Sequence, residues 1–274
     1  MKPRPFAPVA LLLALAAIAC DIKVGEKGGF SIEPTQGKAN DEWVRSYALP
    51  KGGRLEIVNT YGNIDGFPAK GDAVEVTAER EFRLGNPEIA EAELKKIMMI
   101  EEVAPDRVRV QSPTGLGEPE GPLHGATLGV NYKVGIPPGL IVLLKTEYGN
   151  VRVENVQGQL TTTTTNGGVI LNGVSGPLDA GTVNGGVTAT LTAVTGDVKL
   201  AAVNGGVRLG IPTTADAEIE ATTVNGGVSL DEGLGVVTTQ KERQRVVGRL
   251  NKGGPKITAQ VINGGVRMTS GAVN

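Results

Sequence analysis

The chain has 274 residues, among them 40 Gly and 16 Pro; only 3% are aromatic, and 27 basic against 29 acidic side chains leave a net charge of −2. Glycine at about twice its usual share argues for a turn-dense all-β or repetitive chain and against a mostly helical one, and near-neutrality supplies no global field for nucleic acid. With one His and one Cys, a two-histidine zinc site and an intrachain disulfide are excluded, and a histidine-based triad would have to use His124.

Residues 1–19 read as an export signal: Lys2 and Arg4 form the positive start, Ala7 to Ala17 the apolar stretch, and Ala17-Ile18-Ala19 a small-residue cleavage site. Cys20 comes directly after it, a placement that resembles the lipobox of bacterial lipoproteins, with Ala17 where Leu is usual. The resemblance implies acylation of Cys20, hence a membrane partner held through an N-terminal lipid and an extracytoplasmic place on the periplasmic or outer-membrane side. Cleavage would remove Lys2 and Arg4 and leave the mature chain at −4. Gly25, Gly28, Gly29, Pro34 and Gly37 among Lys and Glu predict a flexible tether over residues 20–47, with Trp43 and Tyr47 anchoring where it meets the fold.

Residues 48–145 predict a β-rich cap. Leu55, Ile57, Asn59 and Tyr61 alternate, as do Val74, Val76 and Ala78, then residues 107–111 and 127–136. Asn86 before Pro87 marks a helix start, and Ala90, Leu94, Ile97 and Met98 fall on one face of a helix ending near Ile100. Ser112 to Gly125 is a Pro/Gly-rich loop carrying an exposed His124. The cap would cover one end of the C-terminal repeat region, whose open edge would otherwise invite aggregation.

Residues 146–274 are dominated by that repeat. Asn-Gly-Gly-Val begins at Asn166, Asn184, Asn204, Asn225 and Asn263, with gaps of 18, 20, 21 and 38 residues, the last read as two periods with a degenerate copy between. Six, four and two residues before each Asn the side chains are small or apolar, as at Leu160, Thr162 and Thr164, and the alternation resumes after the Gly pair, as at Val169 and Leu171. Period two on both sides of a corner means two or three short strands per period, so successive periods should stack as coils of a parallel, right-handed β-solenoid. A weaker corner lies at Gly158, Gly176 and Gly196. The corner Asn would hydrogen-bond its amide to the next coil's backbone, and the Gly pair would allow close backbone approach. No helix pattern comes after the Gly pair, which disfavours a phosphate loop.

The segment Thr60-Tyr61-Gly62-Asn63-Ile64, the run Val134-Gly135-Ile136-Pro137-Pro138-Gly139 leading to Thr146-Glu147-Tyr148-Gly149-Asn150-Val151, and the Asn-Gly-Gly-Val series together resemble a bacterial family of adhesin-like β-solenoid domains, exported or membrane-attached, over about residues 48–271. The resemblance implies the fold and an envelope setting; it brings no catalytic residues and no cofactor.

Asp179, Lys199 and Glu220 share one outward position in consecutive repeats and read as a ladder of alternating sign, a solvated face and not a polysaccharide-cleaving carboxylate cluster. The threonine run Thr161 to Thr165 is not repeated from coil to coil, so no ice-binding array is expected. Lys241, Arg243, Arg245 and Arg249, with Lys252 and Lys256, form the one concentrated charge, a candidate anion-binding loop for envelope polymers or headgroups, or simply a hairpin leaving the rod. Scarce aromatics and interrupted Arg208 and Arg267 disfavour nucleic acid. The expected function is non-enzymatic, without cofactor or metal: a rigid surface for adhesion or binding to envelope polysaccharide or protein. The alternatives are a scaffold self-associating through its coil edges, in the manner of bactofilins, and a polysaccharide-active enzyme.

Overall fold

The structure is a computed structural model that describes residues 20–24, 30–34, 37–117 and 123–271. The export signal and the side chain of Cys20 lie outside the described residues. In chain order, β1 (Cys20–Val24) and β2 (Phe30–Pro34) form an antiparallel hairpin, after which come β3 (Lys38–Ala48), β4 (Arg54–Val58), β5 (Ile64–Pro68), β6 (Ala73–Arg83), α1 (Pro87–Leu94), β7 (Ile100–Ala104), β8 (Arg107–Gln111) and β9 (Thr127–Ile136). Paired strands then succeed one another: β10 (Ile141–Tyr148) and β11 (Val151–Glu154), β12 (Gln159–Asn166) and β13 (Val169–Ser175), β14 (Leu178–Asn184) and β15 (Val187–Ala193), β16 (Val198–Asn204) and β17 (Val207–Ile211), β18 (Ala217–Asn225) and β19 (Val228–Leu230). A 3-10 turn at Glu232–Leu234 leads to β20 (Val237–Lys241), β21 (Arg245–Leu250), β22 (Lys256–Asn263) and β23 (Val266–Ser270).

Two sheets face each other across one core. The 11-stranded sheet runs β20-β21-β18-β22-β16-β14-β12-β10-β4-β8-β7 and the 10-stranded sheet β19-β23-β17-β15-β13-β11-β5-β9-β6-β3. Each coil places one strand in each sheet, and neighbouring coils pair in parallel with Asn on Asn, as Asn166 on Asn184 and Asn184 on Asn204. The expected β-solenoid is therefore present, flattened to two strands per coil. The alternation read from sequence is the inward face: Leu160, Leu178, Val198 and Ile257 from one sheet and Val169, Val187, Val207 and Val266 from the other are all buried. Since only one face of each strand is apolar, closing the two faces together removes both from water.

The coils are not stacked in chain order. The 38-residue spacing from Asn225 to Asn263 holds no degenerate coil; after β19 and the 3-10 turn it contains the β20-β21 hairpin, after which β22 and β23 return to lie between β16/β17 and β18/β19. A similar reversal occurs at the other end, where β8 and β9 pair outside β4 and β5 while β10 and β11 pair inside them. The region 48–145 thus contributes two full coils to the same stack, and its division from the repeats at residue 146 is not a structural boundary.

Antiparallel strands finish both sheets at one end and the 11-stranded sheet at the other. At one end β7 flanks β8, and β6 and then β3 flank β9. Lys38–Ala48, expected as tether, is thus an eleven-residue strand: Trp43 packs on the core and Tyr47 is buried and donates to Glu101 at 2.6 Å. Its inward partner for Arg80 is Asp41; Arg80, itself buried, meets both carboxylate oxygens at 2.7 and 2.5 Å and donates to the Ile97 carbonyl at 2.6 Å. This bidentate charge-assisted clamp ties the exit of α1 to the sheet. Asn86 caps α1 through Glu88 and Ile89 N–H groups, as the sequence suggests, but the helix stops at Leu94, and Met98, expected on its buried face, is 79% exposed while Met99 is buried. The chain leaves the helix there to begin β7, so helical spacing no longer applies. At the far end β21 pairs antiparallel with β18, and the hairpin carbonyls of Arg243 and Gln244 accept from Val228 and Thr223 N–H, closing the last coil.

Candidate binding surface

The corner of each coil is built by three residues in sequence. The second, Gly, turns so tightly that a Cβ on Gly167, Gly185 or Gly205 would lie 1.7–2.0 Å from the carbonyl oxygen of the Gly one coil away. Buried Thr164, Thr182 and Thr223, two residues before the Asn, and Thr146, two before Tyr148 in its place, donate to that neighbouring Gly carbonyl at 2.7–3.0 Å, satisfying a lone pair which the sheet leaves open. The Asn side chains then form a ladder on the outside: Nδ2 of Asn184, Asn204, Asn263 and Asn225 donates to Oδ1 of Asn166, Asn184, Asn204 and Asn263 at 2.8–2.9 Å. The corner Asn therefore bonds the next coil's Asn side chain and not its backbone, as expected from sequence, because the corner amides lie directly over one another on the outside. A bond from Asn to backbone occurs in the earlier coils at a different position, two residues after the corner, where Oδ1 of Asn131, Asn63 and Asn150 accepts the N–H of Asn63, Asn150 and Gly168 at 2.7–2.9 Å.

The ladder column continues in the other direction with aromatic rings. Tyr148 pairs with Asn166 and Tyr61 with Tyr148, and the two rings stack at 5.0 Å with 14° between planes, each about half exposed. Val130 N–H donates to the Tyr61 carbonyl as Gly149 N–H does to that of Asn166, so the next position in the column is Gly129. Beside Tyr61 and Gly129 opens a cavity of about 840 Å³ whose wall includes Glu81, Arg83, Glu147 and Leu116. Glu81 accepts from Lys38 at 2.5 Å and from Arg83 at 2.7 Å, and these bonds, Lys38 first, hold its carboxyl below the usual carboxylate range. The sequence pattern reaches as far as Tyr61 and Tyr148; the cavity escaped it because residues 107–136 do not read as a coil.

On the other flank of the ladder, the residue before each Asn points outward. In spatial order Val183, Val203, Ile262 and Val224 form a partly exposed aliphatic strip, continuous only because Ile262 is inserted between the coils of Val203 and Val224.

The charged candidates are distributed otherwise than the repeat alignment suggests. Thr258 stands between Lys199 and Glu220, so the expected ladder of Asp179, Lys199 and Glu220 is broken. Glu220 instead meets Lys256 at 2.7 Å and Arg245 at 3.0 Å; the Lys256 bond and the Arg245 charge hold its carboxyl below the usual range. Asp197 and Asp216 accept backbone N–H groups of Lys256 and Lys252 at 2.9 and 3.1 Å. These carboxylates fasten the returning chain and do not converge. Of the basic group, Arg245 and Lys256 are thereby engaged, whereas Lys241, Arg243 and Arg249 are exposed on the end hairpin. Arg208 and Arg267 are neighbours, brought together by the same insertion, with Ser229 beyond them. His124 is exposed in its turn. Among the described residues no three His, Cys, Asp or Glu side chains are grouped to hold a metal ion, and no helix is long and apolar enough to cross a membrane.

Stacked parallel coils, glycine corners and an external amide ladder define a two-sheet β-solenoid domain. Residues 141–269 match the family model described as Toastrack DUF4097. No curated protein matches the chain. Similar solved structures include a candidate cell adhesion protein from Clostridium sporogenes (11% identity, 85% of this chain and 100% of that one, TM-score 0.46). A candidate adhesin from Bacteroides fragilis (10% identity, 84% and 97%, TM-score 0.30) and a candidate lipid-binding protein from Parabacteroides distasonis (9% identity, 84% and 96%, TM-score 0.26) are also similar.

Proposed function

We propose that the chain is an exported lipoprotein, cleaved before Cys20 and anchored by its acylated thiol, whose solenoid presents a stiff surface that binds envelope or extracellular polymers. The observation that carries the binding half is the unbroken external column from Tyr61 through Tyr148 and the Asn ladder to Asn225, flanked by the aliphatic strip of Val183, Val203, Ile262 and Val224. A row of equal chemistry at the strand spacing, about 4.8 Å, suits a polymer that repeats its own contacts along one direction, each weak and summed by multiplicity. The anchor half rests on Lys2, Arg4, the apolar stretch to Ala17 and the placement of Cys20.

Two measurements test this. In cells expressing the full chain, Cys20→Ser is expected to move the protein from the membrane to the soluble extracytoplasmic fraction; unchanged fractionation overturns the lipid anchor. The mature chain is expected to co-sediment saturably with insoluble envelope polymer, and Lys241→Glu with Arg243→Glu is expected to change that binding by less than about twofold, because the hairpin touches only the last coil of the column and exposed rim charges add little. Absence of co-sedimentation overturns the binding reading, and collapse of binding in the charge-reversed chain moves the contact from the column to the hairpin.

A further inference from the structure

The aromatic stack ends on an empty place. Tyr148 covers one face of Tyr61, and on the opposite side the column position belongs to Gly129, where an added Cβ would meet nothing nearer than the Glu81 carbonyl at 3.9 Å. A cavity opens at this point, and its volume of about 840 Å³ lies within the range of pockets that hold small ligands, about 300–1,000 Å³. A tyrosine face that is half exposed, braced from behind by a second ring and fronted by a glycine, is a fixed flat platform with room for one more ring above it.

The polar groups around that platform narrow what the ring can be. Glu81 and Arg83 are locked together at 2.7 Å and present a carboxylate acceptor and guanidinium donors in fixed relation; Glu147 and the hydroxyls of Thr60 and Thr127 add acceptors and donors on the rim. Among the described residues the charges of Lys38, which pairs with Glu81 from outside the cavity wall, and of Arg83 balance those of Glu81 and Glu147, so these groups together favour neither an anionic nor a cationic ligand. A pyranose ring answers both features: its C–H face is apolar and lies flat on an aromatic ring, while its vicinal hydroxyls each donate and accept around the edge. We propose that the cavity beside Tyr61 binds a neutral saccharide ring, stacked on the face of Tyr61 that Tyr148 leaves free. This deepens and rests on the polymer-binding reading: the site would hold one sugar unit of the polymer at the head of the Asn column.

The test uses the mature chain and a panel of neutral cello-, chito- and manno-oligosaccharides of three to six units, with calorimetry as the readout. Wild-type chain is expected to bind at least one member, and Tyr61→Ala to weaken that binding at least about tenfold, whereas Tyr61→Phe, which keeps the ring, holds it within about threefold. Gly129→Tyr supplies an independent variant: it extends the stack into the empty place and is expected to abolish binding without lowering the melting temperature. Binding that survives both Tyr61→Ala and Gly129→Tyr, preference for uronate-containing or phosphorylated oligosaccharides, or no binding to the panel overturns the proposal. Co-sedimentation with envelope polymer in the same preparations separates the two ideas, since polymer binding that persists when the panel fails leaves the column reading standing and removes only the sugar site.

Discussion

Gly167→Ala is expected to lower the melting temperature by more than about 10 °C, or to leave the chain insoluble, while Gly168→Ala one residue later is expected to shift it by no more than about 3 °C. The two glycines are adjacent in the same motif, yet their surroundings differ. A Cβ at Gly167, with φ +158, falls 2.0 Å from the Gly149 carbonyl oxygen, which is itself fixed by the Thr164 hydroxyl. Neither backbone can retreat without breaking the parallel pairing on both sides, so the penalty is about 4 kcal/mol or more, beyond the ordinary range for a surface substitution. At Gly168 the nearest atoms to a Cβ are Asn150 Oδ1 at 3.5 Å and the Gly186 carbonyl at 3.6 Å, both ordinary contacts. Thermal melts monitored by circular dichroism compare the two variants directly, and equal effects would mean that the corners are looser than their geometry implies.

Deleting residues 251–274 is expected to abolish cooperative unfolding and produce aggregation. In a solenoid wound in chain order, loss of the last coil shortens the rod and leaves the rest nearly as stable, because each coil touches only its neighbours. Here the deleted strands are β22 and β23, which lie inside the stack and carry Ile257, Ala259, Val261, Val266 and Met268, all buried. Their removal also takes Lys256 from Glu220 and the Asn263 amide from the middle of the ladder. Size-exclusion chromatography with limited proteolysis is the check. A soluble truncated chain with a sharp melt would show that β18 can settle directly on β16, and the interior placement would lose its importance.

The repeat was legible because every coil faces the same constraint: inward positions such as Leu178 and Ala180 must be apolar, and the second corner residue must lack a Cβ. What cannot be read from such a pattern is the order of the coils. Asn263 pairs with both Asn204 and Asn225 in the same register that Asn184 uses with Asn166. The alignment is therefore equally satisfied by sequential and by permuted stacking, and the long gap after Asn225 invited the wrong reading. Elsewhere the signal was absent at its source. All five residues of β7 are exposed, so Ile100 to Ala104 shows no alternation at all. In β3 the inward position at Asp41 is charged because it serves the buried Arg80, and that breaks the apolar stripe which would have revealed a strand where a tether was expected. The Tyr stack was visible as a variant corner, but its open side depends on Gly129, whose strand belongs to a coil with no Asn-Gly-Gly signature.

The exchanged order of the outermost coils also constrains how such a molecule can change length. Duplicating a unit of 18 to 20 residues between Asn166 and Asn204 would add a turn to the middle without disturbing either terminus. The same duplication placed after Ser270 would have no seat, because the strand pair that ends the described chain is already enclosed on both sides. Length added among the middle coils thus leaves the arrangement of both ends unchanged.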